Sequence, residues 1–106
     1  MKKIKNLQPT ALKWKRQEIS DTDIGTCTIW TCPPGGREPK HYHNAIEITY
    51  VLKGNCNTHK QGKVYVYNPG DVHEVINDSD EEIVFVITSI PSYSEKNTFY
   101  VSDDKE

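Results

Sequence analysis

Polar and apolar residues alternate along much of the chain with a period of two, the spacing that sends successive side chains to opposite faces of a β-strand. Residues 24–32 form a clear run of this kind, ended by Pro33-Pro34-Gly35-Gly36, a cluster that cannot continue a ladder and must turn. Residues 11–19 are a more polar candidate strand, carrying Lys13, Lys15 and Arg16. Extended structure resumes near Glu38 and runs through His41-Tyr42-His43, with a bend at Asn44-Ala45. Residues 47–53 read as a strand closed by Gly54-Asn55, and the polar stretch 57–61 before Gly62 reads as a hairpin tip. Residues 63–67 are stopped by Asn68-Pro69-Gly70-Asp71, a strong turn signal. Residues 72–77, the long run 82–90 broken by Pro91, and residues 97–101 complete the series, with 102–106 a frayed acidic end. Eight or nine short strands with turns every 8–12 residues predict a β-sandwich or barrel.

Two of these strands are apolar on both faces. Ile48, Tyr50 and Leu52 alternate with Thr49 and Val51, and Ile83, Phe85 and Ile87 alternate with Val84 and Val86. A sandwich strand normally keeps one wet face, so something covers the outer one, and a second copy in a homodimer is the expected cover.

Composition sharpens the all-β reading. Ala and Leu supply only five residues, whereas Val, Ile, Thr and Tyr supply 33, and these side chains pack better on a pleated surface than in a helix. At 106 residues the chain is expected to be one domain. Charged residues of both signs make up 26% and the net charge is −2, which argues against a disordered polyelectrolyte and against a nucleic-acid-binding surface. The longest apolar run, Ile83 to Ile87, is far too short to span a membrane, and the basic start Met1-Lys2-Lys3 has no apolar stretch behind it. The cytoplasm is the expected compartment. Cys27, Cys32 and Cys56 are odd in number and form no C-x-x-C pair, so they read as reduced structural thiols, with a redox or ligand role for Cys56 as the other reading.

The candidate chemistry lies between Gly35 and Glu47. His41 and His43 are two apart, so on a strand both point the same way about 6.6 Å apart, and their imidazoles can converge on one ion through bonds of about 2 Å. Glu47 follows a short bend and can return a carboxylate to the same point. His73, just after the Pro69-Gly70-Asp71 turn, is the natural fourth donor. The plain alternative is that these are ordinary strand histidines that bind nothing. His59, among Asn57, Thr58, Lys60 and Gln61, reads as a solvated hairpin residue and is the reserve ligand should His73 fail. Arg37 has the parity of His41 and His43 and is a candidate to hold an anion at the pocket mouth, against a plain reading as a solvated loop residue. Trp30 either lines the pocket or simply packs. Thr49, Val75 and Asn77 share the predicted inward register.

This segment resembles the first motif of the cupins. Gly35 is followed by five residues, His41-Tyr42-His43, three residues, Glu47, six residues and Gly54, which matches that motif in full. The second motif is met in part: Gly62, six residues, Pro69-Gly70, two residues, His73, three residues, Asn77, without the residue usual between Pro and Gly. His43 and His73 are 30 residues apart, several fewer than is usual in the family, so a strand between the motifs is expected to be lost or shortened. The resemblance covers about residues 24–90. It implies a double-stranded β-helix, or jelly-roll barrel, in which His41, His43, Glu47 and His73 hold one divalent metal ion. Mixed N/O ligation without thiolate suits Fe, Mn, Ni, Zn or Cu and selects none of them.

Three functions compete on this reading. One is a metal-dependent enzyme acting on a small polar or anionic organic molecule by oxidation, isomerisation or elimination. Another is a non-catalytic binder or sensor of a sugar-like or acidic ligand. The third is a structural dimer whose histidines bind nothing.

Overall fold

The computed structural model describes residues 14–101. The alternating segments form eight strands: β1 (Lys15–Asp21), β2 (Thr26–Cys32), β3 (Arg37–His43), β4 (Ile46–Lys53), β5 (Val64–Tyr67), β6 (His73–Ile76), β7 (Ile83–Ile90) and β8 (Thr98–Tyr100). The one helical element among the described residues is a 3-10 turn, Glu95–Asn97, and none of their helices is long and apolar enough to cross a membrane. Trp14 is in a bend just before β1, where the sequence predicts strand. The expected beginning of the first strand at residues 11–13, like the acidic residues 102–106, lies outside the described residues.

Every neighbouring pair of strands runs antiparallel. Five strands form one sheet in the order β1-β2-β7-β4-β5, and three form the facing sheet in the order β6-β3-β8. Between β4 and β6 the chain affords only the four-residue β5, so the shortened stretch between the motifs leaves β5 as a short edge strand.

Cross-strand register shows how the sequence divides the interior. Trp30 faces Phe85, which faces Val51; Thr28 faces Ile87, which faces Thr49; Thr26 faces Ser89, which faces Glu47. These inward rows grow more polar from one end of the sheet to the other. Cys32, Val51, Cys56, Ile83 and Phe85 close the apolar end as a buried core. The polar end is left open and carries the site. Gly54 fixes the end of β4: it has φ of +92°, and a Cβ there would fall 2.6 Å from the Glu82 carbonyl oxygen.

The outer face of the large sheet is apolar, as its two-sided strands predict. One row runs Ile29, Val86, Tyr50, Val64 and the next Cys27, Thr88, Ile48, Val66. Ile48, Tyr50, Val64 and Val66 are all exposed.

Candidate metal centre

β3 is the central strand of the small sheet, so side chains on its inner face are enclosed by the large one. His41 and His43 point inward from it and are buried. β6 pairs with β3 so that His73 lies opposite His41. The ligating atoms of the three imidazoles lie within 4.8 Å of one another. Glu47, at the polar end of β4, brings Oε1 to 3.2 Å from His43 Nε2 and 3.7 Å from His73 Nε2. The Thr49 hydroxyl donates to its other oxygen, Oε2, at 2.7 Å, which fixes the carboxylate plane. The structure thus gathers all four predicted residues, with the carboxylate set against two of the three rings.

Hydrogen bonding fixes which ring nitrogens face inward. His41 Nδ1 lies 2.7 Å from the Pro39 carbonyl and His73 Nδ1 lies 3.1 Å from the Asp71 carbonyl, so both nitrogens are donors. His43 Nδ1 lies 2.9 Å from Thr98 Oγ1, whose own proton goes to the Ser94 carbonyl, so this nitrogen donates as well. All three Nε2 atoms are left with a lone pair. That of His73 is buried without any hydrogen-bond partner, and that of His43 faces a carboxylate oxygen. Such an arrangement is repulsive unless a proton or a metal ion lies between the groups. Outward Nδ1–H bonds with inward Nε2 lone pairs are how a protein presents imidazoles to a metal, and the donor set fits a divalent ion.

Burial acts on the same groups. Burial and the neighbouring His73 push the His41 imidazole down to about 4, against its ordinary 6.5. Burial pushes the Glu47 carboxyl up, but the facing His43 and His73 imidazoles, which donate to it when protonated, outweigh this and hold it below the ordinary carboxylate range. A second carboxyl, Glu38, lines the same cavity, accepts the Tyr100 hydroxyl at 2.7 Å, and is pushed up to about 7 by burial.

Arg37 is exposed and does not line the cavity, in line with its plain reading as a solvated residue, whereas Glu38 does. The cause is a β-bulge. The β3–β6 register shifts between Glu38 and His41, and this inverts the parity of everything before it. Other expectations are corrected here. His59 is no solvated hairpin residue. It is 1% exposed, packs edge-on against Phe85, and has both ring nitrogens within hydrogen-bond reach, of Thr58 Oγ1 and the Tyr67 hydroxyl. Its stretch does close the hairpin of the antiparallel strands β4 and β5, so only the solvated reading fails. Asn77 is buried but braces loops and is no part of the cavity wall; Thr49 and Val75 do line it. Trp30 lines it too. Sequence reasoning missed Glu38, Tyr100 and Trp14, and for Tyr100 the inward register of β8 was the only available signal.

The chain matches the family described as Cupin domain over residues 28–89, more than half its length and spanning all four candidate ligands. The chain belongs to the cupin domain family. No curated protein matches it. Among solved structures it is similar to a protein with a double-stranded β-helix domain from Klebsiella pneumoniae, with TM-score 0.68 and 22% identity over 86% of this chain and 89% of that one. It is also similar to the polyketide cyclase RemF from Streptomyces resistomycificus, with TM-score 0.75 and 15% identity over 99% and 88%. A predicted oxalate decarboxylase from Thermotoga maritima gives TM-score 0.66 and 18% identity over 86% and 98%. This cupin is therefore a double-stranded β-helix, and the likenesses show that fold.

The buried imidazoles make the metal-free cupin acid-sensitive. His41 and His59 both titrate at about 4 when folded, His59 chiefly through burial, against 6.5 in the open chain. The stability they allow is whole above pH 6.5 and is lost as pH falls towards 4. Glu38 acts in the opposite sense: its contribution is whole below 4.5 and is lost as pH rises through about 7. Two groups against one leave a net uptake of about one proton on unfolding between pH 6.5 and 4.5. Metal-free protein is expected to melt at a lower temperature at pH 5 than at pH 6.5, and a melting temperature that is flat or rises towards pH 5 contradicts this.

Proposed function

We propose that this cupin is a metal-dependent enzyme in which His41, His43, His73 and Glu47 hold one divalent ion, and that it acts on a small organic molecule in the adjoining cavity. The observation that carries the reading is the set of three inward Nε2 lone pairs beside a carboxylate, one of them buried and unpartnered. When bound, the ion supplies a Lewis acid with exchangeable positions. The chain's own residues do the rest. Thr49 orients Glu47, and the Pro39 and Asp71 carbonyls with Thr98 hold the imidazoles in one tautomer. Glu38, poised near neutrality and hydrogen-bonded to Tyr100, can hold or release a proton inside the cavity.

A cavity of about 910 Å³ adjoins the histidines, large enough for an organic substrate. The loss of strand between the motifs favours the non-catalytic binder, because it removes wall. Trp14 just before β1, Arg16 at its start and Tyr93 after β7 supply wall in its place, and this favours the enzyme. Turnover of a panel of small organic acids and carbonyl compounds is expected to disappear on chelation and to return with one metal. Ligand-induced thermal stabilisation with no turnover across the panel would favour the binder.

We further infer that two copies pair through the apolar outer face of the large sheet, an isologous contact about Tyr50 and Val86. Light scattering is expected to give twice the chain mass, and Tyr50→Lys to give a monomer; a monomeric wild type contradicts the pairing. Three free cysteines fit work in a reducing compartment such as the cytoplasm.

A further inference from the structure

The cavity wall beside the histidines is aromatic and continuous. Trp14 stacks on Phe85, with ring centres 6.2 Å apart and planes 15° from parallel, and meets Trp30 edge-on at 6.1 Å. Trp30 meets Tyr93 edge-on at 6.4 Å, and Tyr93 meets His43 at 6.0 Å. The rings therefore run from the apolar core to the imidazole cluster. Both tryptophans of the chain lie on this one cavity.

Four hydroxyls of the same wall already donate within the protein. Thr49 donates to Glu47, Thr98 to the Ser94 carbonyl, Ser89 to the Pro91 carbonyl and Thr28 to the Ile87 carbonyl. Thr28 also accepts the Trp30 indole proton. A sugar or other polyol both donates and accepts through each hydroxyl it buries, and a wall on which these four protons are already used offers it fewer donors. A flat conjugated ring asks only for apolar and aromatic surface.

Among the described residues one cation lies on this wall. Arg16, from edge strand β1, lines the cavity with its guanidinium carbon 5.6 Å from the Trp30 ring centre. Its side chain is 39% exposed, and Glu18 approaches it at 3.6 Å, which leaves most of its five donors for a ligand. The cavity thus has an aromatic floor, a guanidinium on one side and the lone pairs of the imidazoles on another.

We propose that the substrate is a planar aromatic acid, with its ring against Trp14 and Trp30, its carboxylate at Arg16, and a phenolic oxygen turned towards the histidine cluster. The proposal deepens the metal-enzyme reading and rests on it for the phenolic end alone.

The test is calorimetric titration of the full-length, metal-loaded protein with 6-hydroxy-2-naphthoate, 2-naphthol and gluconate, with metal content measured on the same sample. The naphthoate is expected to bind at least about tenfold more tightly than gluconate, which carries the same charge on a polyol. It is expected to bind about fivefold more tightly than 2-naphthol, which lacks the carboxylate, and Arg16→Gln is expected to remove that second difference. Because the naphthoate–naphthol comparison is made on the wild type, it stands even if the variant folds poorly. Gluconate binding as tightly as the naphthoate overturns the proposal, as does a carboxylate that adds nothing on the wild type. If those results come from protein carrying its metal, the aromatic-acid proposal alone fails. If the naphthoate is preferred by protein that holds no metal, the metal reading fails and the aromatic pocket stands.

Discussion

His73→Ala is expected to weaken metal binding by at least about a hundredfold, because a ligand's outer hydrogen-bond partner alone is commonly worth ten- to hundredfold and the ligand itself more. His73 is the sharpest choice among the four. Its Nε2 is the buried nitrogen with no hydrogen-bond partner among the described residues, and an ion would satisfy it. Its ring lies flat on Tyr67, with centres 3.9 Å apart and planes 9° from parallel, which holds the nitrogen in place. His59→Ala is the contrast. That ring is equally buried, but both its nitrogens have partners within the protein. Its loss leaves a hole against Phe85, so melting temperature should fall while metal affinity stays within about threefold of wild type. Metal titration of the two variants separates the roles. Equal affinity in His73→Ala and wild type would remove His73 from the site, and a loss in His59→Ala alone would put His59 in its place.

The second large effect is on stability. Asn77 is 1% exposed. Its Nδ2 donates to the Pro33 and Glu81 carbonyls, both at 2.9 Å, with the Cys32 carbonyl at 3.4 Å, and its Oδ1 accepts the Ser79 amide and hydroxyl. Its backbone also pairs with Gly35 and Gly36. One side chain thus ties the turn after β2 to the loop after β6. Asn77→Ala strands several buried carbonyls at a cost of about 1–3 kcal/mol each, so a loss of about 3 kcal/mol overall is expected. For a domain of this size that lowers the melting temperature by roughly 10–20 °C. Metal affinity of the folded fraction should change little, because Asn77 touches none of the four ligands. A melting temperature within about 3 °C of wild type would contradict this account of the loop.

The strands and the clustering of the candidate ligands were legible because both depend on local spacing. Alternation marks β2, β4 and β7, and the turn residues after β2 and β5 bound them. The i, i+2 relation of His41 and His43 survives because both lie on the same side of the bulge in β3. Arg37 lies on the other side, and one inserted residue turned its side chain outward and brought Glu38 in. No alternation rule reveals such an insertion. His59 was hidden for a different reason. Its neighbours Asn57, Thr58, Lys60 and Gln61 are polar, and what buries it comes from afar in sequence: Tyr65, Tyr67 and Phe85. The aromatic wall escaped notice because Trp14 lies in a stretch, residues 11–19, that reads as a polar strand. Only the β1–β2 pairing brings it beside Trp30 and over Phe85.

The central claim is that three imidazoles and one carboxylate share a cation. Anomalous diffraction from crystals of metal-loaded protein tests it most directly. The account predicts a single peak per chain, about 2.0–2.2 Å from Nε2 of His41, His43 and His73 and from a Glu47 oxygen. Crystals soaked in metal that show no peak among these rings, or a peak at the cysteines instead, would contradict it.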